Sequence, residues 1–110
     1  MTFKYTAGEI LRNFIYGRNP VDVSFVTGSA WSSPKHPHHR ISHSDGVEEP
    51  VPGLVVGGIN EDRQDVHHNP HYLGDSRGIS YADEQYSFAS NEVEINWSSP
   101  LTAALLLLCE

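Results

Sequence analysis

Residues 98–109 read Ser-Ser-Pro-Leu-Thr-Ala-Ala-Leu-Leu-Leu-Leu-Cys, and this stretch constrains the fold more than any other part of the 110-residue chain. Serine followed by proline is typical of a helix start, since proline has no N–H to leave unpaired in the first turn. The leucines and alanines that follow cover almost the whole circumference of such a helix. A helix that is apolar all round is surrounded by protein. The sequence therefore predicts a C-terminal helix that starts at Ser98–Pro100 and packs against helices outside this chain.

A second helix is predicted from about residue 6 to about residue 16. Thr6 and Glu9 have the spacing of a capping box, in which each side chain bonds to the other residue's backbone N–H. Four apolar residues follow at helical spacing: Ile10, Leu11, Phe14 and Ile15. Gly17 fits a left-handed stop, and Pro20 lies shortly beyond it.

The long connection between these two helices is rich in Gly, Pro, Ser, Asn and Asp. Short extended pieces are predicted at residues 21–27 and 54–56, and neither alternates for long. A compact domain rarely contains a structureless connection longer than about 12–15 residues, and loops of that length are usually functional. The chain therefore reads as two helices joined by long irregular loops that form a functional rim.

The acidic composition argues against two classes of partner. A net charge of −7, with seven scattered Lys and Arg residues, gives no basic face for a nucleic-acid backbone or an anionic membrane. The single cysteine, Cys109, excludes an internal disulfide framework and a cysteine-based zinc ribbon. Residues 1–10 show no features of a signal peptide, and residues 101–109 are too few to span a bilayer. We expect no nucleic acid and no membrane as a partner.

Four of the seven histidines fall between residues 36 and 43, in a stretch that begins His-Pro-His-His-Arg. His38 and Arg40 stand two apart, so an extended backbone would direct both side chains to one side. Imidazole and guanidinium can then bind one face of a ligand. A solvated loop explains the same pattern. A zinc site is a third possibility, but it needs further ligands at restricted spacing. Three other histidines could supply them: His67, His68 and His71.

Residues 81–101 contain two carboxylates, Asp83 and Glu92, nine positions apart. Three aromatic residues surround them in the sequence: Tyr86, Phe88 and Trp97. An apolar, aromatic environment raises the pKa of a carboxyl group, which is what a general acid requires. The pair Asn91-Glu92 is equally typical of a helix N-cap followed by an acid in the first turn.

Three stretches together resemble glycoside hydrolase family 9, the cellulase family with an (α/α)6 barrel. Residues 17–42 are similar to the family's GRNP, VTG and HPHHR pattern, and residues 52–60 to its PG-x-LVGGPN pattern. Residues 81–101 are similar to its Y-x-D and NEVAINWNAPL pattern. Order and spacing agree throughout, and the resemblance covers nearly the entire chain. The chain departs from the family pattern at five positions: Ala30, Ser32, Ile59, Glu94 and Ser98.

This resemblance implies that residues 1–110 are the C-terminal portion of a family 9 catalytic domain, mainly α, with roughly the last two helices of the barrel. It implies an inverting hydrolase of β-1,4-glucans such as cellulose, of endoglucanase type. An exo-acting glucosidase or glucosaminidase of the family is an alternative, as is a non-catalytic His-rich metal- or carbohydrate-binding module. The family's catalytic base lies in a DAGD motif, which this sequence does not contain. We therefore expect the isolated chain to be inactive.

The resemblance also implies roles for individual residues. Glu92 corresponds to the general acid that protonates the leaving glycosidic oxygen, and Asp83 to an orienting member of the catalytic set. His38, in the same set, and Arg40 correspond to residues that contact sugar hydroxyls around the cleaved bond. Trp31 is expected either to stack on a sugar ring or to be a core tryptophan. The expected partners are a β-glucan or cello-oligosaccharide and the N-terminal part of the domain. No metal or other cofactor is expected, and the parent enzyme is expected to be secreted or periplasmic.

Overall fold

The computed structural model describes residues 6–109; residue 110 and residues 1–5, part of the stretch without signal-peptide features, lie outside the described residues. Helices and irregular loops make up the described part of the chain. The helices are α1 (Ala7–Ile15), α2 (Arg40–Ser44), α3 (Phe88–Asn91) and α4 (Ile95–Leu108), with a 3-10 turn at Val66–His68. Extended segments of residues 6–109 meet only in isolated β-bridges. The fold is thus mainly α and loop, as predicted.

Helix α1 has the bounds and the caps that its sequence predicts. The Thr6 Oγ1 accepts from the Glu9 N–H at 3.2 Å, and the Glu9 carboxylate accepts from the Thr6 N–H at 2.7 Å. The second bond is the main reason that the pKa of Glu9 is lowered. The helix ends at Ile15, and Gly17 follows with φ 116°. The capping box and the glycine stop are both confirmed.

Helix α4 begins earlier than predicted. Its N-cap residue is Glu94, and Pro100 lies inside the helix rather than in its first turn. The N–H groups of Trp97 and Ser98 both donate to the Glu94 carbonyl at 3.2 Å. Pro100 leaves one intrahelical bond unmade, which the surrounding turns tolerate. The Trp97 ring lies against Gly57, 3.5 Å from where a Cβ on that glycine would stand, so tertiary packing holds a turn that local propensity did not predict.

Four isolated β-bridges order the long connection. Three are antiparallel and one is parallel: Tyr16–Ser24, Val26–Val55, Val56–Val93 and, in parallel, His38–Glu92. Successive bridges involve residues one or two positions apart, so the bridges form one row that runs from the end of α1 to the segment between α3 and α4. The predicted extended pieces at residues 21–27 and 54–56 both contribute to this row. Pairing between loops, rather than regular strands, gives the connection its structure.

The core is small and lies under this row of bridges. Phe25, Val56 and Tyr81 are buried together, and the rings of Phe25 and Tyr81 are 5.4 Å apart. Four half-buried side chains pack against them: Val21, Val23, Ile59 and Val93. Ile59, which departs from the family pattern, therefore contributes to the core. Among residues 6–109, every buried side-chain nitrogen and oxygen has a hydrogen-bond partner, so the polar interior is fully paired.

The two long helices leave a broad apolar surface uncovered. Helices α1 and α4 contact each other, yet neither contains a buried residue; Leu107 is 78% exposed. An apolar groove of about 790 Å³ lies between them, with Phe25 and Val56 among its lining residues. Exposed apolar patches of this kind mark interaction surfaces. Helix α4 contacts α1 within this chain, and its packing against helices outside the chain stays a prediction. None of the helices in residues 6–109 has the length and hydrophobicity needed to cross a bilayer.

Candidate active site

Two segments that are distant in the sequence, residues 35–40 and 83–92, lie side by side. They are joined by the parallel bridge between His38 and Glu92, and the His38 N–H donates to the Asn91 carbonyl at 2.7 Å. Residues directly opposite each other across such a bridge have their side chains on the same face. The structure therefore brings together two residues that the sequence assigned to one site.

The backbone of Glu92 is held on both sides. Its N–H donates to the Phe88 carbonyl at 3.2 Å, and its carbonyl accepts from the Gly57 N–H at 3.0 Å. Glu92 is extended (φ −61°, ψ 148°) and closes α3, while Glu94 is the N-cap of α4. The interpretation of Asn91-Glu92 as a helix N-cap is thus wrong. The Glu92 side chain is half-buried, and among residues 6–109 no hydrogen bond ties its carboxylate down. A fixed backbone and an unpaired carboxyl group are what Glu92 would need in order to bind a ligand.

Asp83 connects the two segments through both of its carboxylate oxygens. One oxygen accepts from the Lys35 N–H at 2.8 Å; the other accepts from the His36 N–H at 3.0 Å and from the Asn91 side chain at 2.8 Å. Three donors on one carboxylate fix its orientation. Asp83 therefore anchors the start of the histidine stretch beside Asn91.

The His38 ring has a defined tautomer. Its Nδ1 lies 2.6 Å from the carbonyl oxygen of Gln85. Because a carbonyl oxygen can only accept, Nδ1 carries the proton, and Nε2 of the neutral ring is an acceptor. The residue is exposed. The ring is thus anchored at one nitrogen and open at the other, an arrangement that can bind a hydroxyl group.

The neighbouring histidines hold the loop in place. The His39 Nδ1 accepts from the Ser42 N–H at 3.4 Å and lies 2.9 Å from the Ser42 hydroxyl, so His39 caps α2. The His43 Nε2 donates to the Pro37 carbonyl at 2.6 Å. Two of the four clustered histidines therefore have structural roles, and the interpretation of the whole cluster as a solvated loop is wrong for them.

Arg40 and Trp31 are both exposed. Arg40 is the first residue of α2 and follows the extended residue His39 (φ −139°, ψ 110°), so Arg40 and His38 start toward the same side. Trp31 is 90% exposed in a turn that the Ser33 hydroxyl closes by accepting from the Ala30 N–H at 2.9 Å. The alternative of a core tryptophan is thus wrong for this chain, and an exposed ring is available for stacking.

A buried carboxylate supports the short helix that precedes Glu92. Asp65 is fully buried and accepts from the Tyr72 hydroxyl, from the Ser87 hydroxyl at 2.7 Å and from the Ala89 N–H at 2.9 Å. Burial alone would raise the pKa of Asp65, but these hydrogen bonds outweigh it and lower the pKa. No local pattern indicates this residue, because its partners lie in two other segments, at Tyr72 and at residues 87–89.

The three histidines that could supply further zinc ligands, His67, His68 and His71, make other contacts. The rings of His67 and His68 contact each other at a tilt of 44° with centroids 4.1 Å apart, and the His71 Nδ1 pairs with Glu84 at 2.7 Å. In the described range, no three His, Cys, Asp or Glu side chains come together in an arrangement that could hold a metal ion. The structure therefore does not bring these histidines to the stretch at residues 36–43.

Sequence reasoning missed two members of the site, Asn91 and Gln85. Gln85 acts through its backbone carbonyl, which no side-chain pattern reveals. For Asn91 the sequence predicts no role of its own beyond a helix cap, although it directly precedes the expected acid in the NEVAINWNAPL-like stretch. Its side chain is buried and donates to the His36 carbonyl and to Asp83, both at 2.8 Å.

Comparison with known proteins finds similarity to one family. The model of Glycosyl hydrolase family 9 matches residues 6–105. The xyloglucan-specific endo-β-1,4-glucanase of Bacteroides ovatus is 48% identical over 91 residues, which are 83% of this chain and 15% of that protein. A cellodextrinase of Butyrivibrio fibrisolvens is 37% identical over 97 residues, covering 84% of this chain and 17% of the relative. The chain thus spans less than a fifth of the length of these curated relatives.

Solved structures are similar over most of the chain. A single mutant of a thermostable endoglucanase from Alicyclobacillus acidocaldarius superposes with a TM-score of 0.82 and 35% identity, covering 94% of this chain and 20% of that one. The enzyme AaCel9A, in complex with cellobiose-like isofagomine, gives a TM-score of 0.78 and 38% identity over 86% of this chain and 18% of its own.

Proposed function

We propose, from the premise that this chain belongs to glycosyl hydrolase family 9, that it supplies the general-acid half of an inverting β-1,4-glucan hydrolase. The pairing of His38 with Glu92 carries this proposal. It sets the backbone of Glu92 beside that of His38, whose imidazole has its Nε2 open to a ligand. Glycoside hydrolysis requires a proton donor at the leaving oxygen and groups that hold the sugar beside it.

Glu92 is the proposed proton donor. Its carboxyl group is half-buried, and the backbone around it is fixed by bonds to Phe88 and Gly57. When protonated, it can transfer its proton to the departing glycosidic oxygen as the bond to the sugar carbon breaks. His38 Nε2 and the Arg40 guanidinium would bind hydroxyl groups of the sugars on either side of that bond. Trp31, which is exposed and lies in the same loop of the sequence as the histidines, would offer an aromatic face to a further sugar.

Asp83 is proposed to orient the site and not to act as the catalytic base. Both of its oxygens already accept hydrogen bonds, two of them from backbone N–H groups. A base must instead contact the attacking water. In inverting enzymes that second carboxylate lies about 6.5–9.5 Å from the acid. The DAGD motif that carries the base in this family is absent from the sequence, so the base would come from another part of a complete catalytic domain.

The apolar groove between α1 and α4 fits the same proposal. A complete family 9 domain is an (α/α)6 barrel, and we infer that residues 1–110 are its C-terminal portion. Further barrel helices would cover the exposed leucines of α4 and fill the groove of about 790 Å³. By this account the 110-residue chain alone does not hydrolyse glucans.

The substrate class follows from the relatives. One is named for xyloglucan and another for cellodextrins, and a solved relative binds a cellobiose-like isofagomine. We infer that the complete domain acts on β-1,4-linked glucans or cello-oligosaccharides.

A hybrid enzyme tests the proposal. In it, this chain replaces the matching segment of the Bacteroides ovatus relative, so that the rest of the domain supplies the base. We expect the hybrid enzyme to hydrolyse xyloglucan. Glu92→Gln should lower its kcat by about 10²–10⁴-fold, the contribution of a general acid, while ligand binding measured by calorimetry persists.

The matched control is Glu94→Gln, two residues later on an exposed position, which should retain most of the activity. A hybrid enzyme that does not hydrolyse xyloglucan would contradict the proposal that this chain can complete the domain, and a Glu92→Gln hybrid that retains full kcat would contradict the assignment of Glu92 as the acid.

A further inference from the structure

We propose that Asn91 is a positioning residue that sets His38 and the acid Glu92 in register through one buried amide. The inference rests on the proposed function, since it concerns the same site. Asn91 lies inside the molecule, with no exposed surface, so it acts through its neighbours and not by contact with a sugar.

Every hydrogen-bonding group of the Asn91 amide is engaged. Its Nδ2 donates to the His36 carbonyl and to Asp83 Oδ1, both at 2.8 Å. Its Oδ1 accepts from the Tyr81 hydroxyl at 2.7 Å. Two acceptors on one side and a donor on the other leave a single orientation for the amide.

The backbone of Asn91 makes the connection complete. Its carbonyl accepts from the His38 N–H at 2.7 Å, while its side chain holds the carbonyl of His36. One residue thus holds both ends of the tripeptide His36-Pro37-His38. Because Glu92 is the next residue in the chain, any shift of Asn91 changes the position of the acid relative to the imidazole.

Tyr81 anchors this amide to the core. Its ring is buried and packs on Phe25 with centroids 5.4 Å apart. Burial, followed by the charge of Asp83, raises the pKa of the Tyr81 hydroxyl well above its ordinary value. The hydroxyl therefore stays protonated and donates to Asn91. The amide forms the link between the hydrophobic core and the two segments of the site.

The direction of these bonds distinguishes positioning from simple stabilisation. A buried polar group is costly unless fully paired, and an asparagine at the end of a short helix could be satisfied within that helix. The Asn91 side chain instead bonds to residues 36 and 83, 55 and 8 positions away. Loss of the Asn91 donors should therefore affect the relative positions of His38 and Glu92 more than the stability of the fold.

The test measures kcat and KM separately in the hybrid enzyme. Asn91→Asp keeps the size of the side chain and the acceptor for Tyr81, but it places an oxygen against Asp83 and the His36 carbonyl. We expect kcat to fall by about 10–100-fold, the effect of a small misplacement of catalytic groups, with KM nearly unchanged. Tyr81→Phe removes only the hydroxyl that orients the amide, so a smaller fall in kcat is expected, and this variant decides the question if Asn91→Asp does not fold.

The matched control is Asn19→Asp. Asn19 is also buried and donates to two carbonyls, those of Phe14 and Val23, both at 2.7 Å. This variant should lower the melting temperature while kcat at a temperature below unfolding is retained. If Asn91→Asp and Tyr81→Phe keep the wild-type kcat while Glu92→Gln abolishes turnover, the positioning role is wrong and the proposed function stands. If Glu92→Gln itself retains activity, the proposed function is wrong, and the inference is overturned with it.

Discussion

His38 and Glu92 are partners in a parallel β-bridge although they are 54 positions apart in the sequence. The bridge fixes the spacing of their backbones. The hydrogen bond from the His38 Nδ1 to the Gln85 carbonyl oxygen, 2.6 Å long, fixes the orientation of the ring. The imidazole is thereby anchored through Nδ1 and available through Nε2. Its two nitrogens have different tasks, which single substitutions can separate.

Asparagine and glutamine at position 38 should have unequal effects in the hybrid enzyme. The amide of His38→Asn reaches the place of Nδ1 and can still donate to the Gln85 carbonyl, whereas that of His38→Gln reaches the place of Nε2. If Nε2 binds a sugar hydroxyl, His38→Asn loses that bond, about 1–2 kcal/mol, or roughly 5–30-fold in kcat/KM. His38→Gln should lose less. Steady-state kinetics on xyloglucan measures both, and a His38→Asn variant more active than His38→Gln would place the essential nitrogen at Nδ1.

Trp31 should contribute to ligand binding and not to folding. Its ring is 90% exposed, so Trp31→Ala is expected to change the free energy of unfolding by less than about 0.5 kcal/mol. Loss of an aromatic face should weaken cello-oligosaccharide binding by about 0.5–1.5 kcal/mol, measured by calorimetry on the hybrid enzyme. Trp97→Ala is the matched control, because Trp97 is half-buried beside Gly57 and its loss should lower stability. Equal binding by Trp31→Ala and the unsubstituted enzyme would exclude the stacking role.

Local signals predicted α1 because every determinant of that helix lies within twelve residues. Thr6, Glu9 and Gly17 form caps and a stop that need no tertiary context. The start of α4 differs from the predicted start because the turn before Pro100 is stabilised by Trp97 packing on Gly57, a contact that no local pattern contains. Helix propensity is a weak guide where such packing competes with it.

The candidate site also contains some features that the sequence predicts and others that depend on tertiary contacts. The residue types at positions 38, 83 and 92 could be named from motifs, but their contacts could not. Asp83 bonds to backbone N–H groups of Lys35 and His36, and backbone groups are the same in every sequence. Asn91 is a short polar residue typical of caps and turns, and its role depends on the approach of a loop that lies 55 positions earlier. Motif resemblance thus identifies chemical groups, whereas the geometry depends on long-range pairing.

Gly28 should be intolerant of a side chain. It has φ 69°, and a Cβ there would lie 2.8 Å from the Pro52 Cβ. Gly28→Ala therefore combines backbone strain with steric overlap, whereas Gly46→Ala, at φ 79° with no neighbour within 4 Å, adds strain alone. Urea unfolding of the 110-residue chain, followed by fluorescence, should show a loss of about 1–2 kcal/mol for Gly46→Ala and a larger loss for Gly28→Ala. Equal losses would show that the loop at residue 52 moves aside at no cost.

Asp65 should make the stability of the chain depend on pH in a defined direction. Its carboxylate is fully buried and receives donors from Tyr72, Ser87 and Ala89. Those bonds hold its pKa below the ordinary value of 3.8 despite the opposing effect of burial. A group whose folded pKa is lowered stabilises the fold above its unfolded pKa, and this contribution disappears as the pH falls through the folded pKa.

Asp65→Asn should therefore cost about 1–3 kcal/mol at pH 7, because an amide presents only one acceptor oxygen to these three donors. The difference in the free energy of unfolding between the two proteins should be constant above about pH 5. It should shrink below about pH 4, because Asp65 of the unfolded chain becomes protonated near its ordinary pKa. Urea unfolding at pH 7, 5 and 3 measures it. Asp75→Asn is the control: Asp75 pairs with Arg63 at 2.8 Å, but its side chain is 97% exposed, so its loss should cost less than about 1 kcal/mol. A deficit in Asp65→Asn that stays undiminished at pH 3 would mean that the three donors stabilise position 65 without regard to its charge.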